Sequence, residues 1–280
     1  MCRAMHTLIP LLIVGMSFGF GSLRAEQFPS QCSFPKAAAG KQQKVDKQCG
    51  LAGMGDTPAH KAQNTAKNNF CADGAAVTLS RDDFKRLQTT AESARVRFGD
   101  RENLPEDRNV LRGIMRLSDN TQVGEGTLVR HVGFLTHPRY SNVRNGESVN
   151  CNFRGEDSND IHFDILQDRD EDACFSVTGE ITPHRRSPHY EKDVLTQTRI
   201  AERPVRVTSQ LFFDASHRPC VNGEPQESLQ RISLWEIHPV YSIDVCRQKT
   251  VGECSADNNG AWIPIERFAN VAEDPDEGHD

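Results

Sequence analysis

Apolar and polar residues alternate in GTLVRHVGFL (126–135), NDIHFDIL (159–166), PVRVTSQLFFD (204–214) and ISLWEIHPVYSIDVC (232–246). A period of two predicts strands, because successive side chains of an extended chain point to opposite faces. In RYSNVRNGESVNC, Asn145 and Gly146 signal a turn, and a further strand is predicted at 148–153. Pro239 inside the last stretch predicts a bulge or an edge position. Earlier in the chain the period is helical. In TPAHKAQNTAKNNFC, Thr57 is placed to cap a helix, Pro58 suits its first position, and Ala59, Ala62 and Ala66 recur at helical spacing. SRDDFKRLQ predicts a second helix, with Ser80 and Asp83 as a capping box and Phe84, Leu87 and Ala91 on one face. Residues following Pro188 predict a short helix between the third and fourth strands.

Five strands with a helix after the third match the element order of an OB-like Greek-key barrel, and the fold is expected to be mainly β, with a small β-sandwich as the alternative. An N-terminal helical, disulfide-tied segment (26–118) is expected before the barrel (119–250), and an extension with an acidic, disordered tail (251–280) after it. Over residues 120–246, the stretches GTLVR, NDIH, VTSQLFFDASH and LWEIHPV resemble a group of exported bacterial proteins of uncharacterised function with an OB-like fold. The resemblance implies the fold and carries no activity with it.

Composition narrows the picture. Arg3, an apolar run from Leu8 to Phe20 and small residues up to Ala25 form the pattern of a cleaved secretory signal, 1–25. The run is shorter than a spanning helix, and no later stretch replaces it, so no transmembrane segment is expected in the mature chain. Eight cysteines follow, Cys32, Cys49, Cys71, Cys151, Cys174, Cys220, Cys246 and Cys254; no C-x-x-C pair is among them. An even number in an exported chain predicts disulfides, and a secreted or periplasmic location. If Cys151 joined Cys174, parity would require a bridge between the N-terminal region and the C-terminal third. The formal net charge of −6 and the sparse aromatic residues (7%) make nucleic acid an unfavoured partner.

Two sets of residues are candidates for chemistry. With the third and fifth predicted strands adjacent, His162 and Asp164 would face Glu236 and His238, a mixture of imidazole and carboxylate that suits a divalent metal. Asp214 and His217 could add ligands. The competing reading is a polar cross-strand network on a solvated face. The other set is the loop HPRYSNVRNGESVN, where Arg139, Tyr140, Asn142 and Arg144 offer a ring, two cations and an amide to a sugar, a peptide or a few nucleotides. The expectation is therefore an exported, disulfide-stabilised, non-catalytic module that binds a polymer or protein and needs no cofactor. The alternative is a metal-dependent hydrolase, such as a phosphodiesterase or nuclease, with Arg130 or Arg206 neutralising developing charge. OB-fold thermonucleases set a precedent for such chemistry, but their Asp, Arg and Glu motif is not found here.

Overall fold

The computed structural model describes residues 40–72 and 74–272, with side chains to residue 268. The sequence-predicted signal, Cys32 and the end of the acidic tail lie outside the described residues. The helices are α1 Lys44–Gln48, α2 Pro58–Lys67, α3 Arg81–Ser93, α4 Lys192–Ile200 and α5 Ile265–Ala272; the strands are β1 Val77–Thr78, β2 Met115–Arg116, β3 Gln122–Val123, β4 Leu128–Tyr140, β5 Ile161–Leu166, β6 Val177–Ile181, β7 Val205–Phe213, β8 Trp235–Cys246 and β9 Trp262–Pro264. The fold is mainly β. A mixed seven-stranded sheet runs β1-β4-β5-β6-β8-β7, and because β7 also pairs with β4, five of its strands close into a ring. β6 and β8 run parallel, while the other four pairings of the ring are antiparallel.

The apolar members of the alternating stretches form one core cluster: Ile161, Phe163 and Ile165 of β5, Val205, Val207 and Leu211 of β7, and Trp235 and Ile237 of β8. The Trp235 ring lies 5.0 Å from that of Phe213. Pro239 sits within β8 between two partner strands, beside register shifts in the β7–β8 ladder, so the bulge expectation describes it and the edge one does not. Ser80 and Asp83 form the expected capping box of α3, whose Phe84, Leu87 and Ala91 are buried.

Two expectations are corrected. Residues 148–150 form a 3-10 turn rather than a strand, and the strand that completes the ring is β6, in a stretch the alternation left unassigned. VTGEI carries a Gly and an acid in five residues, which weakens any strand signal. Gly179 is required there by packing: a Cβ at this position would meet the Phe163 ring at 2.5 Å. With β6 in place, β5 and β8 are separated by a strand and do not face each other directly.

Three disulfides join Cys49 to Cys151, Cys174 to Cys220 and Cys246 to Cys254, and Cys71 is also disulfide-bonded. Cys151 and Cys174 thus have separate partners, and the first bridge ties the N-terminal segment to the turn between β4 and β5. Among the described residues, no helix is long and apolar enough to cross a membrane.

His131 of β4 is buried; its Nδ1–H donates to the Leu79 carbonyl at 2.8 Å, and the Phe84 ring packs edge-on at 5.2 Å. Burial pushes its pKa from 6.5 down to about 4. The unfolded chain therefore binds this proton first, so the contribution of neutral His131 is complete above pH 6.5 and is lost as the pH falls from 6.5 towards 4. At ~1.36 kcal/mol per unit the loss approaches ~3 kcal/mol. Melting temperatures of the parent and of His131→Met between pH 7.5 and 4.5 check this. The parent is expected to fall more steeply, and equal slopes would remove His131 from the acid response.

Candidate functional site

The polar members of the same strands occupy the opposite face of the sheet: His162 and Asp164 on β5, Thr178 and Glu180 on β6, and Glu236 and His238 on β8, with Asp160 just before β5. Alternation of this kind predicts a solvated face, yet all six residues of β5 are buried. The cover is α2 together with the segment between β4 and β5. α2 turns its polar side inward, burying His60, Gln63 and Asn64, and leaves only 13% of the Lys67 side chain exposed. These residues recur at i, i+3, i+4 and i+7, one helical face. The reason lies at the helix ends: Asn64 and Asn68 donate to the backbone carbonyls of Ala52, Leu51 and Val149, and His60 Nε2 lies 2.7 Å from Ser148 Oγ. The Cys49–Cys151 bridge fastens the same contact.

Between α2 and the sheet lies a layer of ionisable groups in two parts. In the first, Lys67 Nζ is 2.7 Å from Glu180 Oε2 and 3.3 Å from Asp160 Oδ2. His162 Nε2 lies 3.0 Å from Glu180 Oε1, and His238 Nδ1 lies 3.3 Å from Glu180 Oε2. Asn150 donates to Asp160 Oδ1 at 3.1 Å. Half-buried Glu147 accepts from Ser141 and Asn142 through Oε1. In the second part, Arg231 ion-pairs with Glu236 and lies 3.6 Å from Asp214, to which Gln63 of α2 donates at 3.2 Å. His217 joins at the rim, 3.5 Å from Asp214 and 2.9 Å from Glu227.

Burial and charge set the protonation states. Burial pushes His162 down to about 4, so its imidazole is neutral at neutral pH. Burial would lower the Lys67 ammonium as well, but Glu180, Asp160 and Glu147 outweigh it and hold Lys67 well above its ordinary value. Glu180 is raised by burial and lowered more strongly by the groups around it, His162, Lys67 and His238, so it stays ionised. Burial and the neighbouring Asp160 raise Glu147; burial and Glu180 raise Glu236 against the pull of Arg231. Asp214, despite its burial, is held at about 2 by His217 and Arg231.

Of the metal candidates read from the sequence, His162 and His238 meet around Glu180, which sequence reasoning missed along with Lys67, Glu147 and Arg231. Glu236 lies in the adjoining part of the layer with Arg231. Asp164 lies elsewhere: Arg139 donates to it at 3.0 Å and His137 is 3.6 Å away. The loop candidates do not converge. Arg139 is committed to Asp164, Asn142 donates to Glu147, and Tyr140 donates to Glu191 at 3.0 Å under the Arg186 guanidinium. Arg144 is exposed. Arg206 is bound to Asp244 and Arg130 lies 3.8 Å from Asp257, both away from the layer. A signal for the missing members existed in α2, where His60, Gln63, Asn64 and Lys67 share a face as regularly as the alanines do.

The alanine side of α2 borders an open groove of about 930 Å³, lined among others by Ala62, Ala66, Phe70, Arg108 and Arg112. Arg108 links groove and layer, ion-pairing with Glu125 and donating to Gln63 at 3.3 Å. No protein-family model, curated protein or solved structure matches the chain.

Proposed function

We propose that this chain is an exported, disulfide-stabilised, non-catalytic binding module of the OB-like kind, related to the exported bacterial proteins its motifs resemble, and that the charged layer beneath α2 is its working site. Support for the OB-like reading comes from the ring order β4-β5-β6-β8-β7, its parallel β6–β8 pair and the position of α4 between β6 and β7. The disulfides accord with an oxidising compartment. A polymer or protein ligand would lie in the groove on the other side of α2, where Arg108 and Gln63 connect it to the layer.

One observation carries the functional reading: α2 buries its polar face and leaves its alanines half-exposed. Folding alone would be served as well by apolar contact, because buried ion pairs lose in desolvation much of what they gain in attraction. Strongly shifted ionisable groups gathered in one place are typical of sites under functional demand. The double variant Lys67→Met/Glu180→Met tests this. With Asp160→Asn added, so that no buried carboxylate beside Lys67 loses its cation, it is expected to melt within a few degrees of the parent or above it. A loss of more than ~3 kcal/mol would make the layer a structural network and end the reading. Hydrolysis of a chromogenic phosphodiester by the purified protein, abolished in His162→Ala, would replace the non-catalytic reading with the hydrolase one.

A further inference from the structure

The first part of the layer holds three carboxylates, Glu147, Asp160 and Glu180, against the Lys67 ammonium. With all three ionised, two negative charges are left over in a space shielded from water, where each uncompensated charge is expensive. Candidate donor atoms from Glu147, Asp160 and His162 lie within 4.8 Å of one another, and a second set from Asp160, Glu180 and His238 is equally close. Asp160 belongs to both.

Distance alone does not distinguish a metal centre from a hydrogen-bonded network; alignment does. His162 Nε2 is 3.0 Å from Glu180 Oε1, and His238 Nδ1 is 3.3 Å from Glu180 Oε2, yet neither pair is oriented as a hydrogen bond, and His238 is 1% exposed. Glu147 Oε2 is buried with no hydrogen-bond partner, while its other oxygen accepts two. Asp160 is divided differently, with Oδ1 bonded to Asn150 and Oδ2 facing the Lys67 ammonium at 3.3 Å without hydrogen-bond alignment. Buried polar atoms are nearly always hydrogen-bonded in folded proteins. Several that lie this close together without being aligned to one another have the spacing of donors that share a cation.

We infer that Glu147, Asp160 and His162 hold one divalent transition-metal ion, with Glu180 beside it and Lys67 as the fixed neighbouring charge. This rests on the layer being the working site and names its ligand. An imidazole nitrogen with carboxylate oxygens favours zinc or manganese over calcium, which takes oxygen donors. A divalent ion would balance the two surplus charges. Glu147 stands at the rim, in the segment 141–152 that the Cys49–Cys151 bridge anchors, so it gives the ion a route in without unfolding the sheet.

The test is calorimetric titration of the oxidised full-length protein, stripped with chelator, using zinc and manganese chlorides, with the visible absorption of a cobalt-loaded sample as a second readout. The parent is expected to take about one equivalent. Glu147→Gln, which keeps the side-chain shape at the rim, and His162→Ala should each weaken binding at least ~10-fold, while Asp164→Asn, outside the layer, should leave it unchanged. The cobalt spectrum of His162→Ala should lose the features of nitrogen ligation. Circular dichroism establishes that each variant is folded, and Glu147→Gln carries the test if His162→Ala is not. Saturation at the same affinity in the parent and Glu147→Gln, or no binding in the parent, would overturn the inference. Loss in His238→Ala with no change in Glu147→Gln would overturn the placement. If no metal binds while Lys67→Met/Glu180→Met/Asp160→Asn remains as stable as the parent, the layer stands as a working site and only its assignment to a cation fails.

Discussion

Replacing Arg231 with Met is expected to lower the unfolding free energy by about 3–5 kcal/mol, read as a shift of the urea midpoint at unchanged slope. Arg231 is 0% exposed, ion-pairs with Glu236 and approaches Asp214, so its removal leaves two carboxylates without their cation in a region closed to water. Asp214 would feel this most. Its carboxyl is held at about 2 in part by Arg231, whereas Glu236, already raised by burial and Glu180, can take up a proton. Arg231→Met/Glu236→Gln should therefore recover part of the loss, and Arg231→Met/Asp214→Asn more. A cost under ~1 kcal/mol for Arg231→Met alone would mean that the guanidinium is not what stabilises the acids.

Removing the Cys49–Cys151 bridge by paired Ser substitutions should cost about 2–5 kcal/mol, with a chain-entropy expectation near the upper end, because the linked residues are 102 apart. The effect should also be localised. The bridge fastens α1 and α2 to the 148–151 turn, and the hydrogen bonds of Asn64 and Asn68 depend on the same contact. Hydrogen exchange should therefore quicken in α2 and in residues 141–152 before it does in β7 and β8. The Cys246–Cys254 bridge spans only 8 residues and should cost less when removed. Equal losses for the two pairs, or uniform exchange across the chain, would argue against a separately anchored cover.

The fold was legible wherever one side chain in two was strongly apolar. β4, β5, β7 and β8 were readable because their core-facing residues are Val, Ile, Leu, Phe and Trp. β6 was not, because its space-making Gly179 and its buried, ion-paired Glu180 suppress the very pattern that marks a strand. The turn at 148–150 was mistaken for a strand because Val149 and Phe153 are apolar at even spacing, while the chain there bends to meet α2.

The candidate site shows the same division. The sequence by itself determined that Asp160, His162 and Asp164 share one face of a strand, as do Glu236 and His238, since the period of an extended chain requires it. It also determined the helix caps and the even set of cysteines. Only the tertiary structure decided that this face is covered instead of wet, that Glu180 stands between the two strands, and that Asp164 turns to Arg139. The physical reason is distance along the chain. Strand period and capping arise from neighbouring residues, whereas the protonation of His162 and the pairing of Lys67 depend on a helix nearly a hundred residues earlier, brought over the sheet by a disulfide and a few amide hydrogen bonds.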